Sequence, residues 1–308
     1  MNLKRIRNAV TMCLLATAGT LYAQRSETLL EKNWKFLKGD PKEAQSPTFD
    51  DSTWKAVRVP HDWAIYGPFD TRNDLQDVAI TQNLETKSSV KSGRTGALPY
   101  MGVGWYRTEF SVPEGKEATL LFDGAMSEAR VYNGKEACFW PYGYNAFHCN
   151  ITPLLRTDGE PNTLAVRLEN HPQSSRWYPG AGIYRNVHLI ITEKIHVPIW
   201  GTYITTPRVG NDFAAVKLRT ELSNADGKQI RIETVLIAPD GKIVAQKTDE
   251  QTMMHGQPLE QNFIVEQPRL WSPESPSLYR AISKIYADGQ LADTYSTPFG
   301  IRNIEFVA

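Results

Sequence analysis

Hydrophobic and polar residues alternate with a period of two along much of the chain. In the segment Asn162–Asn170 an aliphatic side chain stands at every second position from Leu164 to Leu168, and the segment Ala215–Ser223 repeats this pattern. Such alternation is typical of strands that bury one face. Further strands are predicted at Trp105–Val112, Ala118–Phe122, Glu128–Tyr132, Val187–Ile191, Gln229–Ile237, Lys242–Gln246 and Ser277–Tyr286.

Turn-forming dipeptides separate several of these strands. Asn133-Gly134, Asp240-Gly241 and Asp288-Gly289 readily adopt the positive φ angles of tight hairpins. The sequence contains neither a long amphipathic helical pattern nor a glycine-rich loop suited to a phosphate. The predicted fold class is therefore all-β, with antiparallel sheets stacked as sandwiches.

A domain boundary is predicted near Lys194, because the strand that ends there is followed by Pro198, which interrupts ladder pairing. Residues 24–194 are long enough for a jelly-roll sandwich, and residues 195–301 have the size and turn spacing of an immunoglobulin-like sandwich. The second part lacks a Cys–Trp–Cys pattern, so only its architecture is immunoglobulin-like. The stretch Gly67–Gly104 has few strand signals, which predicts a functional or mobile loop.

The N-terminus has the order of regions expected of a secretory signal peptide. Basic residues at positions 4, 5 and 7 precede the apolar run Ala9–Leu21, and Ala23 supplies a small residue for cleavage. We therefore expect residues 1–23 to be removed and the mature chain to be periplasmic or secreted. The apolar run is short for a membrane span, so no membrane contact is expected.

Charge and aromatic content narrow the class of partner. The chain has 34 basic and 34 acidic residues, so it lacks the one-signed field that nucleic acid or an anionic membrane requires. A neutral partner fits better. Its 8 Trp and 13 Tyr offer flat rings that stack on apolar faces and hydrogen-bond at an edge, although most such rings belong to the core.

Two cysteines remain after export, Cys138 and Cys149, so disulfides are not the main source of stability. If the intervening run folds back at Tyr142–Tyr144, the two residues come opposite one another and can form a bridge. Pro141 disfavours regular pairing, and buried free cysteines are common. The sequence leaves the pairing open.

Several segments, in this order and at these separations, resemble glycoside hydrolase family 2, which includes β-galactosidases, β-glucuronidases and β-mannosidases. They cover nearly the whole mature chain. The segments are Phe49–Trp54 leading to Val59–Trp63, Gly102–Arg107, Phe122–Lys135, Ser175–Val187, Trp271–Tyr279 and Phe299–Arg302.

The resemblance implies a jelly-roll sugar-binding domain, an immunoglobulin-like sandwich and then a (β/α)₈ barrel that carries the chemistry, of which residues 302–308 would be the start. Retaining glycosidases need two carboxyl groups about 5 Å apart. In this family the acid/base is a glutamate that directly follows an asparagine in the barrel, and no asparagine here is followed by glutamate. We therefore expect no catalytic residue and no cofactor in this chain, which needs the missing barrel as its partner.

The resemblance also implies a set of sugar-contacting residues. Arg176, Trp177 and Tyr178 belong to a loop that reaches the barrel's mouth in this family, and Tyr100 lies on a second loop that points to the pocket. Some members carry an aspartate where Arg176 stands, which puts a bound ion in doubt, and no metal site is expected. Each residue also has a structural interpretation. Trp177 and Tyr178 fit packing at a domain interface, Arg176 fits an ion pair, and Tyr100 fits a mobile surface loop.

Asp62, between His61 and Trp63, is the remaining candidate for substrate contact. The sequence favours instead a turn role for Asp62, in which it hydrogen-bonds a neighbouring backbone group, and a structural role for His61. A β-galactoside is the expected ligand, because the Pro-His-Asp-Trp and Ser-Arg-Trp-Tyr segments are more similar to that branch. The alternatives are a stand-alone carbohydrate-binding protein, a β-glucuronidase or β-mannosidase, and an adhesive sandwich without sugar affinity.

Overall fold

A computed structural model of the protein describes residues 25–92, 100–172 and 179–304. These residues form 19 β-strands and two single turns of 3₁₀ helix, at Thr81–Asn83 and Thr152–Leu154. The prediction of an all-β sandwich fold is confirmed. Within the described ranges no helix is long and apolar enough to cross a membrane. The predicted signal peptide lies outside the described residues, and export stays a prediction.

Twelve strands form the N-terminal sandwich and the ribbon beside it. They are β1 (Arg25–Leu29), β2 (Trp34–Lys38), β3 (Lys55–Val57), β4 (Leu75–Val78), β5 (Ser89–Ser92), β6 (Gly102–Phe110), β7 (Glu117–Phe122), β8 (Ala129–Asn133), β9 (Lys135–Trp140), β10 (Phe147–Asn150), β11 (Asn162–Asn170) and β12 (Val187–Thr192).

Two sheets of this sandwich face one another. The four-stranded sheet has the order β1-β12-β7-β10, and the six-stranded sheet has the order β3-β2-β6-β11-β8-β9. Their facing side chains form the main core, which includes the fully buried Trp34, Tyr106, Leu120 and Phe122. Strands β4 and β5 pair as a separate ribbon inside the stretch Gly67–Gly104, where the sequence shows few strand signals.

The outer face of the six-stranded sheet is covered as well. Trp54 packs with Trp105 and Ala165 in a second small core. Arg107, which is 3% exposed, donates from Nε to Asp51 at 2.7 Å and from NH1 to the Ser46 carbonyl at 3.0 Å. The alternation prediction therefore needs a correction at Ala165, which is buried because the segment before β3 covers this face. The Phe49–Trp54 segment has this structural role.

A disulfide joins Cys138 of β9 to Cys149 of β10, with the Cα atoms 5.8 Å apart. The two strands are edge strands of different sheets, so the bridge links the two layers. It does not cross a hairpin. The chain turns between the layers at Pro141–Ala146, which explains why Pro141 is tolerated there.

Seven strands form the C-terminal sandwich. They are β13 (Thr202–Val209), β14 (Phe213–Thr220), β15 (Gln229–Ile237), β16 (Ile243–Thr252), β17 (Leu259–Glu266), β18 (Tyr279–Ala287) and β19 (Gln290–Phe299).

These strands form sheets of three (β13-β14-β17) and four (β16-β15-β18-β19), a division found in immunoglobulin-like sandwiches. Asp240-Gly241 and Asp288-Gly289 join β15 to β16 and β18 to β19, as predicted. Asp288 and Gly289 both have positive φ angles, 50° and 78°. The change from one sandwich to the other falls between β12 and β13, and the boundary residue itself stays a prediction.

Candidate functional site

One end of the N-terminal sandwich gathers five connecting segments, which we call the loop end: residues 59–69, 100–104, 123–128, 141–145 and 179–185. His61 donates its backbone N–H to the Ile183 carbonyl at 2.8 Å, and Trp63 donates to Ala181 at 3.3 Å. The Pro-His-Asp-Trp segment thus runs beside the Ala-Gly-Ile segment, although more than a hundred residues separate them in sequence.

Gly182 is the closest point of this junction. Its backbone exchanges two hydrogen bonds of 2.9 Å with Met126. Its φ angle is +97°, and a Cβ atom there would lie against the Tyr106 hydroxyl and 2.7 Å from the His61 carbonyl oxygen. Only glycine satisfies both demands, which explains the residue at this position.

His61 has a structural environment. Its Nδ1 lies 2.8 Å from the Tyr106 hydroxyl, and its ring packs 4.9 Å from the Phe36 ring centroid. Burial, helped by the nearby Lys55, lowers the pKa of His61 to about 4. The imidazole is therefore neutral at neutral pH and a weak base, as the interpretation of a structural histidine predicts.

Asp62 takes part in a turn. Its Oδ1 accepts a hydrogen bond of 2.9 Å from the backbone N–H of Ala64, the arrangement that the turn interpretation predicts. The side chain is half-buried at the loop end. Sugar contact by Asp62 stays a prediction.

Tyr100 lies on the flank of the loop end beside Trp63. The indole Nε1 of Trp63 donates to the Tyr100 carbonyl at 3.2 Å, and the two rings meet edge to face with centroids 6.4 Å apart. The Tyr100 hydroxyl donates to the Val103 carbonyl at 3.3 Å, and burial raises the pKa of this phenol. Lys38 lies 5.2 Å from the ring centroid. Tyr100 is thus brought to the loop end, with its hydroxyl held by its own chain.

Arg176, Trp177 and Tyr178 lie outside the described residues, so their contacts stay predictions. The flanks of their segment are described. Asn170, which is 1% exposed, donates from Nδ2 to the Gly180 carbonyl at 3.0 Å. This bond ties the end of β11 to Gly180, so the residues on both sides of 173–178 lie at the loop end.

Sequence reasoning missed the aromatic surface of the β9–β10 connection. Tyr142 and Tyr144 are 53% and 38% exposed, with ring centroids 5.5 Å apart. Tyr184 donates its hydroxyl to the Gly143 carbonyl at 2.8 Å, which holds this connection against residues 179–185. The signal that could have revealed it is a pair of tyrosines flanking a glycine in a turn, where core packing is not expected.

Glu128, Glu169 and His171 form a charged cluster next to these segments. Within the described residues they are the one group of three side chains that could hold a metal ion, with candidate ligand atoms within 4.8 Å of one another. Protein groups already balance the carboxylates: Arg167 lies 2.9 Å from Glu169, and His171 lies 2.9 Å from Glu128. The expectation of no metal stays a prediction.

One oxygen of Glu128 lies within 4.8 Å of one oxygen of Glu169, which invites comparison with the carboxyl pair of a retaining glycosidase, whose groups are about 5 Å apart. Their environment differs from such a pair, because both side chains are about a third exposed, Glu169 is ion-paired with Arg167, and Glu128 contacts His171. A general acid needs a carboxyl group whose proton is held by an apolar pocket. The cluster therefore fits a surface ion-pair network better than a catalytic pair.

Similarity to known proteins agrees with this architecture. The family described as "Glycosyl hydrolases family 2" matches residues 197–302. A β-galactosidase of Bacteroides ovatus is 36% identical over 301 residues, 95% of this chain and 33% of the relative. A β-glucuronidase of Formosa agariphila is 29% identical over 313 residues, 92% of this chain and 30% of the relative.

A solved structure gives the same result at the level of the fold. A glycosyl hydrolase family 2 member from Bacteroides cellulosilyticus superposes with a TM-score of 0.78 at 30% identity, over 91% of this chain and 36% of that one. The chain thus spans about a third of the length of the relatives that it matches. In its sequence motifs, its two sandwiches and these similarities, the chain is similar to members of glycoside hydrolase family 2 over nearly all of its described length, and the family itself is matched at residues 197–302.

Proposed function

We propose that this chain is the non-catalytic sugar-binding and immunoglobulin-like portion of an exported glycoside hydrolase acting on β-galactosides, and that its loop end helps to wall the substrate pocket. The observation that supports this role is the junction at Gly182, which holds the flank of the Ser-Arg-Trp-Tyr segment against His61 and Met126. The pocket's remaining wall and its catalytic carboxylates would lie on a barrel domain, since the matched relatives are about three times as long.

The side chains of the loop end are suited to positioning a sugar substrate. It presents tyrosine rings and turn-held polar groups that can contact a sugar's ring face and hydroxyls. The Glu128 and Glu169 carboxylates at this end are partly exposed and already contact His171 and Arg167. Binding and orientation of a galactosyl unit are therefore the contribution we assign to these domains.

An activity assay of the purified chain tests whether catalysis requires the barrel domain. The chain alone should not hydrolyse a chromogenic β-galactoside, whereas the protein encoded by the whole reading frame should. Turnover by the chain alone that is lost in Glu169→Gln would overturn the proposal and make the Glu128–Glu169 pair catalytic. A reading frame that stops at Ala308 would instead favour a stand-alone carbohydrate-binding protein.

β-Glucuronides are the second candidate substrate class, because relatives named β-glucuronidases match over nearly the same span. The whole protein should be assayed with matched chromogenic β-galactoside and β-glucuronide at equal concentration. A higher kcat/KM for the glucuronide would replace the galactoside proposal and leave the non-catalytic role of this chain intact.

A further inference from the structure

A cleft of about 270 Å³ lies where the two sandwiches meet, at the opposite end of β12 from the loop end. One wall is the outer face of the four-stranded sheet, and the other is the inter-domain connection with the turn at Ser223–Asn224. Clefts between domains are common ligand sites. Its lining residues are Arg25, Glu117, Thr119, His148, Asn150, Ile190, Thr192, His196, Val197, Pro198, Ile199, Ser223 and Asn224.

The charged groups of the cleft are already paired with protein groups. Arg25 is ion-paired with Asp293 at 2.8 Å. Glu117 accepts a hydrogen bond of 2.9 Å from Asn224, and the His196 Nδ1 lies 2.8 Å from the Glu193 carbonyl. Asp293 balances the Arg25 charge, whereas the Asn224 amide leaves the Glu117 carboxylate charged, so the cleft disfavours an anionic ligand.

Neutral hydrogen-bonding groups make up much of the remaining lining. Thr119 and Asn150 project from β7 and β10, and Ser223 faces them from the C-terminal sandwich. Hydroxyl and amide groups both donate and accept hydrogen bonds. This mixture suits a ligand with several hydroxyl groups.

An exposed tryptophan packs against His148, one of the lining residues of the cleft. Trp200 is 58% exposed, and its ring meets the ring of the cleft residue His148 edge to face, with centroids 5.2 Å apart. The turn that carries it is closed by a 2.9 Å hydrogen bond from Gly201 to the Pro198 carbonyl. A flat ring beside hydroxyl-binding groups matches the apolar face and polar rim of a pyranose.

We propose that this cleft is a second carbohydrate site, which binds one neutral sugar residue with its ring face on Trp200 and its hydroxyls on Thr119 and Asn150. The site is separate from the loop end and goes beyond the function proposed for it. It would hold a glycan away from the pocket, so that a branched or long substrate is retained near the enzyme. Binding should be in the millimolar range, because one face of a single sugar is covered.

The Trp200 indole signal in a ¹⁵N NMR spectrum tests the proposal directly. The signal is assigned from its loss in Trp200→Phe, and the chain is titrated with methyl β-D-galactopyranoside, methyl β-D-glucopyranoside and D-glucuronate. A neutral glycoside should shift the signal with saturation, and glucuronate should bind more weakly. Trp200→Ala should weaken binding roughly two- to tenfold, measured by saturation transfer to the ligand.

Two further variants separate the cleft from other surfaces. Thr119→Val keeps the side chain's shape and should weaken binding, whereas Tyr203→Ala, which removes another exposed ring at 66% exposure, should leave it unchanged. An unmoved Trp200 signal at about 100 mM of both neutral glycosides overturns the proposal. So does equal weakening by Tyr203→Ala, or tighter binding of glucuronate. Because the readout is binding to this chain, the result is independent of β-galactoside hydrolysis by the whole protein.

Discussion

Arg25 of β1 and Asp293 of β19 form a two-pronged ion pair that joins the two sandwiches. The Arg25 Nε lies 2.9 Å from Oδ1, and NH2 lies 2.8 Å from Oδ2. Asp293 is fully buried and also accepts the backbone N–H of Val197 at 2.8 Å. The guanidinium lies 4.9 Å from the Tyr295 ring centroid. Breaking such a buried, multiply bonded pair leaves a charge without compensation.

Arg25→Gln should therefore lower the free energy of unfolding by about 3 kcal/mol, measured by urea denaturation. Arg58→Gln is the matched control, since Arg58 and its partner Glu31 are 67% and 37% exposed. It should cost less than about 1 kcal/mol. Equal and small effects of both substitutions would show that the inter-domain pair adds no stability.

The glycine at the loop-end junction gives a second prediction. Gly182→Ala places a Cβ atom against Tyr106 and His61 at a φ of +97°, whereas Gly159→Ala meets nothing within 4 Å at a φ of +83°. Both variants carry the backbone penalty of about 1 kcal/mol, and Gly182→Ala adds steric displacement worth about 2 kcal/mol more. Thermal unfolding of the two variants checks the difference, which would vanish if the junction could move apart freely.

Strand prediction succeeded for β11 and β15 and failed for β17. The limits of β11 and β15 agree with the predicted segments. Strand β17 was missed, although its residues alternate between buried and exposed, because the buried face includes Gln261. The fully buried Gln261 accepts from Thr234 at 2.6 Å and donates to Asp249 at 2.9 Å, contacts with distant strands that no local period reveals.

The candidate site was also hard to predict from the sequence, because it depends on contacts between segments that are remote in sequence. Family resemblance pointed to Asp62 and Tyr100, and the structure brings both to the loop end. The backbone pairing of His61 with Ile183 and the Tyr184–Gly143 hydrogen bond join segments that are remote in sequence. Such contacts depend on tertiary packing, so neither they nor the exposed face of Tyr142 follows from spacing alone.

The disulfide gives a third prediction. Because Cys138 and Cys149 lie on edge strands of different layers, their bridge restrains the separation of the two sheets. Replacing both residues with serine should lower the free energy of unfolding by about 2 to 3 kcal/mol, the chain-entropy value for so short a loop, and leave the fold intact. The denatured mature protein should show no reactive thiol before reduction and two afterwards. Two thiols before reduction would mean that the bridge does not form.

The fourth prediction concerns the pH dependence of stability. The pKa of His61 is lowered from 6.5 to about 4 in the folded chain, mainly by burial and also by Lys55 and Lys38, against a raising effect of Asp62. Between pH 6.5 and 4 the unfolded chain takes up a proton that the folded chain does not. Stability from this residue is therefore complete above pH 6.5 and is lost as the pH falls through that window, by about 1 to 2 kcal/mol after allowance for solvent screening.

Urea denaturation at pH 7.5 and at pH 4.5 measures this loss in the wild type and in His61→Gln. The wild type should lose more stability than the variant, because the variant has no imidazole to charge at that position. Other histidines also change the free energy of unfolding with pH, and their contributions cancel when the two proteins are compared. Burial lowers the pKa of His148 as well, whereas Asp226 raises the pKa of His255, which favours the folded state at low pH. Equal losses in both proteins would show that the His61 ring accepts a proton in the folded chain, against the burial and the Tyr106 contact that keep it neutral.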